Sequence, residues 1–356
     1  MQIGIDTKEA FRIHRSGIGN YVYNLVKGLM QVDNENEYYL VTPSAFIRNP
    51  FDLPSNYSFR YRFSPLNKIK QLNAFHGTAF KLNSVKAKTK VITIHDLASH
   101  LYQDFMSSTS KEVTRKKISN AVATADTIVT ASNTIKNHIE EYYPRTRGRI
   151  KVVYHGIDGD SRYVEDPSKI SYVRSKYKLP KTYLLYVGKL EARKNILTLL
   201  KAFKYLKTYY NIGESLLLVG KRGWGYNHIS DLVKEQGLTK SVKELGWIDE
   251  EDLNAIYSAA ELFVFPSWYE GFGLPVLEAM SCRLPVILSD IPTHREIAND
   301  SALYFKPGDN VELAENIISL LNDKFKRDDM TLRGLQRIKD FNWQKTAQEM
   351  IKIYEY

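Results

Sequence analysis

Short apolar runs alternate with segments of helical period along this chain, and they do so twice over. In the first half the runs are QIGID (2–6), YYLVTP (38–43), VITIHD (91–96), TIVTAS (127–132) and IKVVYHG (150–156), with IGNYVYNLVKGLM (18–30) and KEVTRKKISNAVATA (111–125) among the helical stretches between them. In the second half YLLYVG (183–188), SLLLVG (215–220), LFVFPS (262–267) and PVILSD (285–290) play the same part, around NILTLLKAFKYLK (195–207), EDLNAIYSAA (251–260) and LPVLEAMSC (274–282). Strands that alternate with helices call for α/β architecture with parallel, doubly wound sheets. Runs this continuously apolar suit strands covered on both faces.

A chain of 356 residues exceeds one ordinary core, so two domains are expected. The least patterned stretch, residues 159–181, is polar, carries Pro167 and Pro180, and reads as a linker followed by a short helix. The expected division is residues 1–165 and 166–340, two Rossmann-like domains, then a helix over 341–356 with a return to the N-terminal domain as one arrangement. Two such domains facing each other leave a cleft at the carboxyl ends of their strands, where ligands of doubly wound folds bind.

No window approaches the roughly 18 uninterrupted apolar residues that span a bilayer. MQIGIDTKEAF lacks the basic and apolar regions of a secretory signal, and the lone Cys282 cannot form an intrachain disulfide. These features predict a cytoplasmic protein. The net charge of +10 is uneven: +8 over residues 1–160 and +2 over the remainder. A basic half suits an anionic partner, such as nucleic acid, an acidic membrane face or a phosphorylated ligand, and equally suits plain solubility.

Four candidates fall where a strand ends and a helix begins. In RSGIGNYVYNL (15–25), Gly17 and Gly19 would let the backbone approach a phosphate or sugar, or form a tight turn; G-x-G-x-x-G spacing is missing, which disfavours a dinucleotide site. In VITIHDLASH (91–100), His95 and Asp96 end an apolar strand; the histidine could position a hydroxyl or donate a hydrogen bond, or the pair could simply cap the strand. In LLYVGKLEARKNILTLL (184–200), Lys189, Arg193 and Lys194 precede a helix N-terminus, where cations oppose the helix dipole but suit a diphosphate. In SWYEGFGLPVLEAM (267–280), Pro275 suits the first turn of a helix, Glu278 falls in or near that turn, and Glu270 lies in the loop before two glycines. The two carboxylates could serve glycoside hydrolysis, but they fit hydroxyl acceptors better, because hydrolases draw their acids from separate strands or loops.

Taken together these segments resemble the family-4 retaining glycosyltransferases of the GT-B fold (glycosyl transferases group 1), and are similar to their surface-polysaccharide mannosyltransferases. SWYEGFGLPVLEAMSCRLPVILSD resembles the signature with two glutamates, VGKLEARKNI the diphosphate loop, LGWIDEEDL (245–253) the segment beside the nucleobase, RSGIGNY the N-terminal glycine loop, and TIHDLA the His-Asp segment. The resemblance implies a donor-binding C-terminal domain and an acceptor-binding N-terminal one. Arg193 and Lys194 would neutralise the diphosphate leaving group, with Lys189 ranked below them because many relatives have arginine there. Glu278 would hold the ribose, and Ile248 and Glu250 would lie near the base. Glu270 would contact the transferred sugar, while Gly271, Phe272, Gly273 and Leu274 would offer backbone to sugar or phosphate. Gly17 and Gly19 would meet the donor from the other domain, and His95 would face sugar and acceptor. Catalytic residues are thus expected to be His95, Arg193, Lys194 and Glu270.

The implied reaction is retaining transfer of a hexose from a nucleotide-diphosphate sugar to a saccharide hydroxyl, with the leaving phosphate itself taking the acceptor proton, and the resemblance implies neither a metal nor a cofactor. GDP-mannose leads as donor, with UDP-glucose, UDP-N-acetylglucosamine and dTDP-rhamnose as others. The acceptor would be a lipid-linked oligosaccharide of surface polysaccharide synthesis, and KEVTRKK (111–117) with RYRF and NKIK (60–70) would dock the protein on an anionic leaflet. A sugar-nucleotide 2-epimerase of the same fold is the enzymatic rival. A basic nucleic-acid-binding protein is the rival of another class, disfavoured by the absence of aromatic-basic interleaving, zinc spacing or a helix-turn-helix pattern.

Overall fold

The computed structural model describes all residues except 13, 43–49, 62–71, 83–85, 106–107, 158–161 and 356. The chain divides into two units: unit 1 comprises Met1–Leu101, Ser108–Gly156 and Phe341–Tyr356, and unit 2 comprises Tyr102–Ser107 and Ile157–Asp340.

Among the described residues, unit 1 holds β1 (Gln2–Asp6), β2 (Glu37–Thr42), β3 (Tyr57–Tyr61), β4 (Leu72–Gly77), β5 (Ala87–Thr93), β6 (Thr127–Thr130) and β7 (Ile150–Val152). They pair in parallel in the order β3-β2-β1-β4-β5-β6-β7. Its helices are α1 (Gly17–Val32), α2 (Ala98–Leu101), α3 (Ser108–Thr124) and α4 (Asn133–Tyr142). Helix α1 starts at Ser16, whose side chain accepts the Gly19 amide, and buries Tyr21, Val22, Leu25, Val26 and Leu29 at helical spacing.

Unit 2 carries β8 (Tyr183–Val187), β9 (Ser215–Val219), β10 (Val242–Gly246), β11 (Leu262–Phe265), β12 (Val286–Ser289) and β13 (Leu303–Phe305). These also pair in parallel, in the order β10-β9-β8-β11-β12-β13. Every residue of β8, β11 and β12 is buried, as the sequence expects of strands covered on both faces. Each fully buried leucine there, such as Leu184 or Leu185, contributes roughly 1.5–3 kcal/mol relative to exposure. The helices are α5 (Pro167–Tyr177), α6 (Ile196–Tyr205), α7 (Tyr226–Glu235), α8 (Glu250–Ser258), α9 (Leu274–Ser281), α10 (Pro292–Ala298), α11 (Asn310–Asn322) and α12 (Lys324–Arg337). Helix α13 (Trp343–Tyr354) belongs to unit 1 and packs on α1. A buried hydrogen-bond chain ties its last turn to the sheet: Tyr354 Oη lies 2.8 Å from His76 Nδ1, His76 Nε2 lies 2.7 Å from Thr93 Oγ1, and Thr93 Oγ1 lies 3.1 Å from Tyr21 Oη.

Both sheets reverse their strand order once, between β1 and β4 in unit 1 and between β8 and β11 in unit 2. At such a switch point the connections leave to opposite sides and open a crevice at the carboxyl ends of the strands. Among the described residues no helix is long and apolar enough to cross a membrane.

Candidate active site

The third and fourth sequence candidates follow β8 and β11, the two strands that flank the switch point of unit 2. Their loops are stitched together. Trp268 N donates to Arg193 O (3.0 Å), Arg193 Nη1 donates to Tyr269 O (2.6 Å), and Asn195 Nδ2 donates to Pro266 O (3.0 Å). Across the same seam Lys194 Nζ meets Glu270 Oε1 at 2.5 Å, and Arg193 Nη1 lies 3.5 Å from Glu270 Oε2. Ser267 Oγ donates to Glu270 Oε1 as well (2.6 Å). Glu270 is only 6% exposed. Burial alone would raise its pKa, but Lys194 and Arg193 outweigh burial and pull it down to about 2. Burial pushes the Lys194 pKa down in turn, against the pull of Glu270.

Glu270 therefore has one oxygen, Oε1, taken by Lys194 and Ser267, and Oε2 facing Arg193 at long range. Oε2 keeps capacity for a hydroxyl donor. Two residues that the sequence reading passed over hold this loop. Thr293 of α10 donates to Glu270 O (2.8 Å), and Ser289 donates to Ser267 O (2.5 Å). Ser289 ends β12 and Thr293 lies in α10, and the pairing of β12 with β11 brings both to the loop. The sequence reading also passed over Glu191, which pairs with Arg193 Nη2 and Lys189 Nζ, each at 3.0 Å.

The loop ends at Gly273, whose φ of +104° is open to glycine and closed to most side chains. Leu274 begins α9 and Pro275 occupies its second position, where a missing N–H is harmless. Glu278, expected in or near the first turn, lies just beyond it. It is the fifth residue of α9, past the amides that a first-turn carboxylate would complement, so the helix dipole does not explain it. It is half-buried and its Oε2 accepts from Tyr257 Oη of α8 (3.1 Å). Phe272 is buried and Gly271 half-buried. Ile248 is buried in the loop after β10. Glu250 opens α8 with an exposed side chain that pairs with the buried Arg162 guanidinium. Arg162 also donates to Asn254 Oδ1 (3.1 Å), a role that no local pattern around it signals.

In unit 1 the remaining candidates lie around the other switch point. Gly17 is the first residue of α1, exposed, and a Cβ there would meet nothing within 4 Å. Gly19 is buried, its amide is capped by Ser16, and a Cβ there would come within 2.7 Å of Glu9 O, so chain packing accounts for it without a ligand. His95 stands two residues beyond β5, 9% exposed, with Nε2 2.8 Å from Thr78 O. Thr78 in turn donates to Asp6 O at the end of β1 (2.6 Å). A carbonyl only accepts, so Nε2 of His95 carries the proton. Burial lowers its pKa, which leaves a neutral ring with Nδ1 as an acceptor. This narrows the sequence reading: His95 can receive a hydroxyl hydrogen bond at Nδ1 rather than donate one there. Tyr21, Phe80 and His155 wall the ring at centroid distances of 5.0, 5.7 and 6.0 Å. Asp96 instead caps the turn of α2 through Ala98 N (3.0 Å).

Residues 172–337 match the family model for glycosyl transferases group 1, and residues 15–161 match that for glycosyltransferase family 4. The chain is 32% identical over 283 residues to O-antigen chain mannosyltransferase B of Escherichia coli, covering 79% of this chain and 74% of that protein. It is 29% identical over 251 residues to O-antigen chain mannosyltransferase RfbU of Salmonella typhimurium, covering 68% and 66%. The fold matches sucrose-phosphate synthase from Thermosynechococcus elongatus with a TM-score of 0.78 at 22% identity, over 100% of this chain and 98% of that one. Two parallel sheets of this order with alternating helices are the GT-B architecture, and the chain belongs to the group 1, family 4 glycosyltransferases.

Proposed function

We propose that the protein transfers mannose, with retention of anomeric configuration, from GDP-mannose to a hydroxyl of a lipid-linked saccharide in surface polysaccharide synthesis. The observation that carries this reading is the Arg193–Lys194–Glu270 cluster at the switch point of unit 2: two cations, fixed by carboxylates, at the strand ends where a doubly wound sheet takes its ligand. The names of the two curated relatives support mannose as the sugar.

In this reading Arg193 and Lys194 bind the donor's diphosphate and stabilise the charge that develops as it leaves. Two fixed side-chain cations supply that charge, so no metal ion is invoked. Glu270 keeps Lys194 charged inside the protein and offers Oε2 to a sugar hydroxyl. Glu278 takes the ribose hydroxyls, with Tyr257 fixing its other contact, and Ile248 and Glu250 lie toward the base. The glycosidic bond to the diphosphate breaks, an oxocarbenium-like sugar forms, and the acceptor oxygen attacks from the face that the diphosphate leaves. The departing phosphate oxygen takes the acceptor's proton. His95 orients a hydroxyl by accepting its hydrogen bond at Nδ1.

The test is a thermal-shift panel of GDP-, UDP- and dTDP-sugars, because a ligand at 100 times its dissociation constant stabilises by about 2.7 kcal/mol. A shift with GDP-mannose above the other sugars supports the reading. No shift with any of them removes the donor site, and a shift confined to UDP- or dTDP-sugars replaces the donor.

Membrane docking is a separate part of the proposal. NKIK (67–70) and the Arg62–Phe63 half of RYRF lie outside the described residues. In α3, Lys116 and Lys117 are exposed beside Val113, whereas Arg115 Nε is committed to Ser99 O (2.7 Å). Each exposed Lys near an anionic leaflet is worth about 1 kcal/mol. The protein should co-sediment with anionic vesicles and not neutral ones; equal binding to both, or none at low salt, removes the docking surface.

A further inference from the structure

Glu191 sits in the middle of the cationic loop that follows β8, and its two oxygens are divided between two cations. Oε1 lies 3.0 Å from Arg193 Nη2 and Oε2 lies 3.0 Å from Lys189 Nζ. The side chain is only 15% exposed. Burial would raise its pKa, but Arg193 and Lys189 outweigh that and hold it ionised. Its seat is built by the neighbouring loop. Gly223 N donates to Leu190 O (2.8 Å) and Ala192 N donates to Trp224 O (3.0 Å). A Cβ on Gly223 would fall 2.8 Å from Glu191 Cβ and 3.2 Å from Oε2, so the glycine makes the room that the carboxylate fills.

The division of labour between the two carboxylates is unequal. Glu270 neutralises Lys194, whose ammonium is buried and needs a partner. Lys189 is 56% exposed and needs none for solvation, yet Glu191 reaches it and Arg193 together. Arg193 does not depend on Glu191 for its orientation, because Nη1 already donates to Tyr269 O at 2.6 Å. Glu191 therefore occupies the anion-accepting side of two cations without being required to hold either in place.

We propose that Glu191 is an internal counter-anion for the diphosphate loop: it fills the position that a donor phosphate oxygen takes, is displaced when the donor binds, and returns to help expel the nucleoside diphosphate. This rests on the reading of the loop as the diphosphate site. The competing role, a carboxylate that pre-orients Arg193 for the ligand, predicts the opposite sign, since losing it would weaken binding.

The experiment titrates GDP, UDP and inorganic pyrophosphate calorimetrically into the full chain and into Glu191→Gln, with Glu191→Asp as a charge-retaining control. Removing one like charge at ion-pair range from a multiply charged anion should tighten binding roughly tenfold. The gain should appear for whichever nucleoside diphosphate binds the parent protein and for pyrophosphate alike, with slower release of the nucleotide and little change for Glu191→Asp. Equal or weaker binding by a folded Glu191→Gln overturns the proposal, as does a gain for nucleotides with none for pyrophosphate. If no diphosphate binds either protein, the donor-site reading fails as well, an outcome distinct from unchanged affinity.

Discussion

Replacing Glu270 by Gln keeps the side chain's shape and removes its charge from a pocket that is 6% exposed. The cost follows from two independent routes. The carboxylate titrates at about 2 in the fold, against about 4.3 for a glutamate in an unfolded chain. At 1.36 kcal/mol per pH unit that difference is worth about 3 kcal/mol at neutral pH. Breaking a buried ion pair by removing one partner costs about 3–5 kcal/mol, the same size. Unit 2, in the size class where 1 kcal/mol shifts the melting point by about 2–4 °C, should then melt about 6–12 °C lower. Three of the four tryptophans, Trp224, Trp247 and Trp268, report on this unit by fluorescence. Because the folded pKa is depressed, the contribution is fully present above pH 4.3 and fades as the pH falls toward 2. Glu270→Gln should lose that acid-side slope, and Glu270→Gln with Lys194→Met should recover much of the stability by removing the stranded ammonium. A loss under 1 kcal/mol, with the same slope between pH 5 and 3 as the parent, would refute the account of the pair.

Glu278→Ala should weaken binding of GDP and of the sugar nucleotide together, by about tenfold from a lost charge-assisted bond, whereas Glu270→Ala should impair turnover more than nucleotide binding; calorimetry beside a transfer assay separates them. His95→Asn, whose Oδ1 can accept where Nδ1 does, should retain more activity than His95→Ala, and the pH–rate profile between 7 and 8 should carry no limb from His95, since burial lowers its pKa below the ordinary histidine value. Equal activity of the two variants would count against an acceptor role. Tyr354→Phe leaves His76 Nδ1 without its partner in a fully buried site and should cost about 1–3 kcal/mol, read by hydrogen exchange across unit 1 peptides; unchanged protection there would mean the chain of bonds does not brace the unit.

The sequence announced its strands best where they are most buried. QIGID coincides with β1, and YLLYV, SLLLV and LFVF run as expected, because in strands covered on both faces polar residues are confined to the ends. It hid β3, β4, β10 and β13. VKELG of β10 is half-buried throughout at the sheet edge and reads as a charged turn, and β13 has three residues. Strand β4 is central, but LNAFHG contains Asn73 and His76, polar residues tolerated only through tertiary bonds: Asn73 Oδ1 accepts from Gln2 N (2.8 Å), and His76 reaches Thr93 and Tyr354. Strand order, and with it the two switch points, depends on pairings far apart in sequence that no local pattern encodes. The same divide runs through the site. Arg193, Lys194 and Glu270 were legible because they sit at strand ends, whereas Ser289, Thr293 and Arg162 act on it from other segments and Glu191 looked like one more loop acid.

Unit 1 is assembled from separate stretches, the last of which, Phe341–Tyr356, is made only after all of unit 2. At about 5–20 residues per second, a ribosome needs roughly ten to forty seconds to travel from Gly156 to Phe341. For that interval the nascent seven-stranded sheet lacks α13, and the faces of α1 and of His76 that this helix covers stay open to water. The second unit, nearly all one continuous stretch, can reach its native state first. Biogenesis should therefore run in reverse of chain order, and the newborn first half is the part that a holding chaperone has most reason to grip.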